Sequence, residues 1–306
     1  MMQEAQVHTG FKKYLMLTRP HTLTASFVPV FVGTASVLLF ADIRWGMFFL
    51  MLIATVLIQS ATNMFNEYYD FKRGLDSHES VGIAGAIVRN GMSPRLVLTI
   101  ALIFYGIAAV IGIIITINSS WWILIVGAVS MAVGYLYTGG PVPISWTPFG
   151  EIFAGFFMGT VIIMITFFIH TGTLHVFPLL MSIPPAITIG LLNMANNIRD
   201  RKKDKTSGRK TYVILVGKPF AVMTAAALLL FSYVFLIYIA FFTPMGSVFL
   251  LIPLLSIPLA LKTIMLMRKG NTPVELIPAM ASMGKLNTIM GLLLTIGLII
   301  YGMTGI

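Results

Sequence analysis

Residues 97–117 read "VLTIALIFYGIAAVIGIIITI", a run of apolar side chains without a single charge. A helix of about 20 residues, rising 1.5 Å per residue, spans the ~30 Å hydrocarbon core of a bilayer. Strands of a membrane barrel are about half as long and alternate apolar with polar positions, and this run does not alternate. It therefore reads as a transmembrane helix, and the rest of the chain repeats the pattern.

Outward from that run, hydropathy and turn residues mark nine expected spans, at about 22–40, 46–66, 95–117, 121–137, 151–170, 176–197, 219–242, 247–265 and 285–304. Turn-rich connections such as "TGGPVPISWTP" and "FTPMGS" separate several of them. Of 306 residues, 58% are hydrophobic and 10% charged, with a mean hydropathy of +0.93. Soluble domains carry about 25% charged residues. The expected fold class is thus all-α: a polytopic membrane protein of nine helices in one bundle, forming a single domain over 1–306 with a short cytoplasmic N-terminal segment, 1–20. No small-residue cleavage site closes the first apolar run, so that helix is expected to be retained. The chain has no cysteine, which excludes disulfide frameworks and thiolate metal or redox sites.

The net charge of +10 acquires its meaning from position. With the N-terminus cytoplasmic, Lys12, Lys13, Arg19, Lys72, Arg73, Arg89, Arg95, Arg199 to Lys218, Lys262, Arg268, Lys269 and Lys285 share one side, and only Arg44 of the 20 Lys and Arg falls on the other. That is the positive-inside pattern. It supports an N-in, C-out cell-membrane protein facing anionic lipid, with no call for nucleic acid as a partner.

Topology does not explain the acids. Five of the ten Asp and Glu stand in two stretches, "NMFNEYYDFKRGLD" at 63–76 and "NMANNIRDRKKD" at 193–204. Asn63, Asn66 and Asp70 occupy positions i, i+3 and i+7, one face of a helix. Asn193, Asn196 and Asp200 repeat the spacing about 130 residues later, as an internal duplication would. Asp204 continues the second stripe by a turn, whereas Gly74 is expected to end the first helix and leave Asp76 in the following loop. Amide and carboxylate oxygens without His or Cys suit a hard cation such as Mg²⁺, which keeps waters and is commonly shared with substrate phosphates. Lys72, Arg73, Arg199, Arg201, Lys202, Lys203, Lys205, Arg209 and Lys210 beside those acids supply charge for phosphate oxygens. The bland alternative is that asparagine in a membrane helix bonds a neighbouring helix and that "RKKDK" is a solvated loop. Ionisable groups at a membrane mouth are nevertheless candidates for function. A lipid-tailed diphosphate substrate fits the combination. An ion-coupled transporter is a competing class, although transporter sites lie near the midplane on broken helices.

These two motifs resemble those of the UbiA-type intramembrane prenyltransferases. That family's first motif reads N-D-x-x-D-x-x-x-D; here Asn66, Glu67 and Asp70 match in part, Gly74 takes the last position, and Asp76 and Glu67 are left without an assigned role. The segments "LTRPHTLTASFVPVFVGT" (17–34), "AGAIVRNG" (84–91), "GYLYTGGPVPISWTPFGE" (134–151) and "NNIRDRKKDKTSGRKT" (196–211) resemble the branch that acts on a dihydroxynaphthoate. The resemblance implies Mg²⁺-dependent transfer of the chain of a polyprenyl diphosphate to 1,4-dihydroxy-2-naphthoate within the bilayer, in menaquinone biosynthesis. Acceptors such as 4-hydroxybenzoate, homogentisate or haem remain open within the family. It further implies that Asn66, Asp70, Asp200 and Asp204 hold metal. Asn63, Lys72, Arg73, Asn196, Asn197, Arg199 and Lys203 would bind or orient the diphosphate. Tyr135 and Tyr137 could face the allylic cation or simply anchor the interface. Arg19, His21, Arg89 and Glu151 are candidates for the acceptor, although His21 and His78 read as ordinary loop or interface residues rather than bases.

Overall fold

The computed structural model of the chain describes residues 10–75 and 85–305. Asp76 and His78 lie outside the described residues. Among the described residues the regular structure is all helical. Its main elements are α1 (Thr24–Val37), α2 (Trp45–Lys72), α3 (Pro94–Ile117), α4 (Trp121–Leu136), α5 (Gly150–Thr171), α6 (Val176–Thr206), α7 (Lys218–Phe242), α8 (Val248–Lys269) and α9 (Pro273–Thr304). Seven of these, α2, α3 and α5 to α9, are long and apolar enough to cross a membrane, while α1 and α4 are apolar but shorter. Each falls on an expected apolar segment. The chain is a multi-span membrane protein.

Three helices outrun the hydropathy pattern at their polar ends. Helix α2 continues to Lys72 and α6 to Thr206, because polar side chains at a helix end cost nothing once they leave the hydrocarbon. Helix α9 begins at Pro273 rather than near 285. There Thr272 accepts from the Glu275 N–H and Glu275 accepts from the Asn271 N–H. This is a Thr-x-x-Glu start signal with proline at the first helical position, so the early start was legible.

The helices α1, α6, α8 and α9 form one packed group, α2 and α3 another, and α5 leans on both α1 and α6. Buried polar pairs tie the first group: Thr188 donates to Asn287 at 2.8 Å, and Asn287 donates to Thr24 at 3.3 Å, linking α6, α9 and α1. Helix α5 crosses α6 at very close range. Its Gly155 and Gly159, four residues apart, lie on the backbone of Ala186, the small-residue packing that lets membrane helices approach. The same stretch, Gly155–Val161, widens into a π-helical turn.

The two motif-bearing helices end alike. After α2, the Gly74 N–H bonds the Phe71 carbonyl at 3.0 Å and the Leu75 N–H bonds Asp70 at 2.9 Å, with Gly74 at φ +68°. After α6, the Gly208 N–H bonds Lys205 at 3.2 Å and the Arg209 N–H bonds Asp204 at 3.0 Å, with Gly208 at φ +82°. Both are Schellman caps, in which a left-handed residue, here glycine, lets the chain fold back over the last turn. Counted from these caps, the counterpart of Asp70 is Asp204, one turn beyond the Asp200 that the sequence spacing pairs with it.

Candidate active site

A cavity of about 390 Å³ opens inside the bundle and is lined mainly by apolar side chains. It reaches along α2 from Met51 to Asn66, about 22 Å at 1.5 Å per residue. Its polar end carries Arg19, Asn63, Asn66, Tyr137, Asn193 and Asn196. The two Asn-x-x-Asn faces therefore meet across one space, as the spacing predicts.

The first asparagine of each pair is also structural. Asn63 Nδ2 donates to the Thr18 carbonyl and to Thr22 Oγ1, both at 2.9 Å, and Thr22 Oγ1 donates to the Arg19 carbonyl. These bonds knot a turn around Arg19, which at φ 53° is the one non-glycine residue with positive φ among those described. Such a backbone persists only where its surroundings enforce it. His21 lies in the same turn, Pro20–Thr22. Asn193 Nδ2 donates to the Tyr137 hydroxyl at 2.6 Å.

The next position along each helix faces a charged partner. Buried Glu67 pairs with Arg19 at 3.3 Å and accepts from the N–H groups of Gly85 and Ile87. Its carboxylate fastens the 85–87 loop and the Arg19 turn to α2. Arg89 lies over Gly85, where a Cβ would meet its guanidinium. At the equivalent place on α6, Asn197 Nδ2 donates to Glu151 Oε1 at 2.8 Å. Glu151 is buried, and its Oε2 has no hydrogen-bond partner among the described residues.

The acids converge one turn nearer the helix ends, on a cation that the site assignment of the motifs omits. Arg209 Nη2 lies 2.9 Å from Asp70 Oδ1, and Arg209 Nη1 lies 3.2 Å from Asp204 Oδ1. A single guanidinium thus bridges the two motifs. Its charge stands over the Trp146 ring at 5.6 Å, and Arg73 stands over the same ring at 5.5 Å. Arg73 is otherwise committed to the carbonyls of Thr138 (2.6 Å) and Gly140 (3.0 Å), which pins the Gly/Pro loop beside α2. Asp200 is held in a two-point pair by the neighbouring Arg199, at 2.8 and 2.6 Å. Lys72 and Lys203 are exposed at the rim. Tyr69 and Tyr135 join hydroxyls at 2.5 Å, while Tyr137 turns its hydroxyl toward the Gly150 carbonyl.

Among the described residues no cluster of three or more His, Asp or Glu side chains is assembled as a metal cage. The donor set nonetheless suits a hard cation. The carboxylates of Asp70 and Asp204 converge on one positive group, and the guanidinium there stands in for it.

Fold and site together define an intramembrane helical bundle whose apolar cavity ends at facing asparagines of α2 and α6, with two carboxylates bridged by one arginine farther along the same helices. The chain belongs to the UbiA prenyltransferase family, whose model matches residues 26–302. It is 49% identical to the 1,4-dihydroxy-2-naphthoate octaprenyltransferase of Bacillus subtilis (strain 168), over 93% of this chain and 91% of that one. It is 30% identical to the protein of that name in Mycobacterium tuberculosis, over 90% and 92% of the two chains. In fold it is similar to a UbiA homolog from Archaeoglobus fulgidus bound to DMAPP and Mg²⁺, with a TM-score of 0.64 and 15% identity over 93% of this chain and 99% of that one.

Proposed function

We propose that this protein transfers a polyprenyl chain from polyprenyl diphosphate to 1,4-dihydroxy-2-naphthoate, releasing diphosphate and CO₂ and giving demethylmenaquinone. The observation that carries this is one apolar cavity that ends at Asn66 and Asn196, with Asp70 and Asp204 farther along the same two helices and bridged by Arg209, a shape and charge pattern suited to a lipid tail on a diphosphate head. The acceptor follows from the 49% identity to the B. subtilis enzyme over nearly the full length of both chains.

Asn66, Asp70, Asp200 and Asp204 are the groups that would hold Mg²⁺, and the ion would supply neutralising charge for the leaving diphosphate. Arg199 and Arg209 stand close enough to these acids to share that task, with Lys72 and Lys203 at the rim. The residues beyond them do the rest. The apolar walls exclude water, which would otherwise capture an allylic cation. Tyr137 lines the cavity with its hydroxyl engaged by Asn193 and Gly150, and its ring is placed to face the cation or orient the acceptor ring. Arg19, which lines the same end and is paired with Glu67, is the candidate to meet a ring carboxylate. The orientation consistent with the charge distribution puts nine helices across the cell membrane with this mouth toward the cytoplasm.

The test is direct. Purified protein in detergent receives Mg²⁺, a polyprenyl diphosphate and a panel of aromatic acids, and products are read by mass spectrometry. The naphthoate should be prenylated with loss of CO₂, EDTA should stop the reaction, and Asp70→Asn or Asp204→Asn should reduce it by at least a hundredfold in folded protein. Preferred turnover of 4-hydroxybenzoate or homogentisate would overturn the acceptor, and full activity of both variants would overturn the site.

A further inference from the structure

The most heavily engaged cation of the site sits where a metal would have to go. Asp70 and Asp204 belong to different helices, and their side chains are only 16% and 7% exposed. Two carboxylates so placed repel each other unless a positive charge lies between them. Arg209 supplies it, one nitrogen to each acid. Its Nε is buried with no hydrogen-bond partner among the described residues, and Trp146 supports the plane of its charge.

Arg209 also differs from its neighbour Arg73 in how it is held. Arg73 is fastened to two backbone carbonyls of a loop, so its position is part of the fold. The Arg209 guanidinium is held through two side-chain carboxylates and the face of Trp146 rather than through backbone carbonyls, and the residue lies beyond the helix, directly after the left-handed Gly208. It can swing away without unwinding α6.

We infer that Arg209 is a resident counter-cation, a latch that keeps Asp70 and Asp204 paired in the substrate-free protein and yields their oxygens only when a new anion is offered to it. This rests on the metal and diphosphate reading above. A bare divalent ion must evict the guanidinium from both carboxylates and brings it no anion in exchange. An ion that arrives with a diphosphate brings the guanidinium its replacement partner. The latch therefore couples the two ligands: metal alone binds weakly, and the cation site becomes competent when the diphosphate enters.

The experiment uses the full chain in detergent, with Mn²⁺ alone as the probe and its binding followed by electron paramagnetic resonance. Arg209→Gln should bind Mn²⁺ at least fivefold more tightly than the unsubstituted protein. Arg209→Lys, which keeps a cation, should stay within about twofold of it. In turnover at saturating Mg²⁺, Arg209→Gln should raise KM for the prenyl diphosphate. Unchanged Mn²⁺ affinity in Arg209→Gln, or an equal gain in Arg209→Lys, would overturn the latch. Adding Asp70→Asn and Asp204→Asn to Arg209→Gln should erase the gain. If Mn²⁺ binding is indifferent to both Asp substitutions in every background, the metal site itself is wrong. If it depends on them while Arg209→Gln matches the parent, only the latch is wrong. Where Arg209→Gln yields too little folded protein, Gly208→Ala replaces it. A methyl there meets nothing within 4 Å, but φ +82° is strained for alanine, and relief of that strain would move the turn that positions Arg209. It too must tighten Mn²⁺ binding, and no change would overturn the proposal.

Discussion

Gly159→Ala probes how tightly the catalytic bundle must close. The added methyl would stand 2.5 Å from Ala186 Cα and 2.8 Å from its backbone nitrogen. Non-bonded carbon atoms rest at about 3.5–4.0 Å, so α5 and α6 would have to part by roughly 1 Å. Both obstructing atoms are backbone, and no rotamer change relieves them. Overpacking of this kind costs about 1–3 kcal/mol. The separation would also reach the site, because the 2.8 Å bond from Asn197 to Glu151 spans the same helix pair. Stretched by about 1 Å it ceases to be a hydrogen bond. The comparison is Gly106→Ala, where a methyl meets nothing within 4 Å and alanine is the better helix former. Thermal unfolding in detergent and initial rates of prenyl transfer are measured for both. Gly159→Ala should lose about 2–4 °C in Tm per kcal/mol together with most of its rate, while Gly106→Ala should match the parent. Equal Tm and equal rate in the two variants would refute the close-crossing argument.

Two further predictions separate structure from chemistry and fix orientation. Asn63→Ala deletes two 2.9 Å bonds around the strained Arg19 turn and should lower stability by about 1–3 kcal/mol, whereas Asn66→Ala should cut metal-dependent turnover with little change in Tm; the reverse pattern would exchange their roles. Because the chain lacks cysteine, single cysteines are clean reporters: Lys72→Cys and Lys205→Cys should react with a membrane-impermeant maleimide only in inside-out vesicles, and Asp42→Cys only from outside. Labelling on the opposite sides would reverse the orientation.

The membrane class and the position of every long helix were legible because uninterrupted apolar length is a strong signal. The start of α9 was missed because Glu275 and Pro278 look like loop residues until the Thr272 cap is noticed. The Asn-x-x-Asn faces were legible as helical spacing, and they do line one cavity. What spacing could not show is which acids meet. Residue counting aligns Asp70 with Asp200, but the helices end at Gly74 and Gly208, and chain reversal after Gly208 sets Arg209 between Asp204 and Asp70. Arg209 was hidden for a related reason. Within a run of seven basic residues, side-chain type alone does not distinguish it from Lys202 or Lys205. The clue was the Ser207 and Gly208 pair, which turns the chain back just before it. Asn63, Glu67 and Arg73 combine a place at the site with bonds that hold its walls, and that second duty depends on partners remote in sequence.

The twin caps carry an electrostatic consequence. A helix concentrates partial negative charge at its C-terminal end, roughly half an elementary charge, where acids are disfavoured and cations favoured. Asp70 and Asp204 both stand in the last turns of their helices, so each carboxylate is set against a pole of its own sign. Two like poles and two carboxylates facing one mouth form a trap for positive charge before any substrate arrives. The same field would push outward on a diphosphate freed from its prenyl chain once its cations loosen, so one arrangement would serve both to hold Arg209 in the substrate-free protein and to discharge the product.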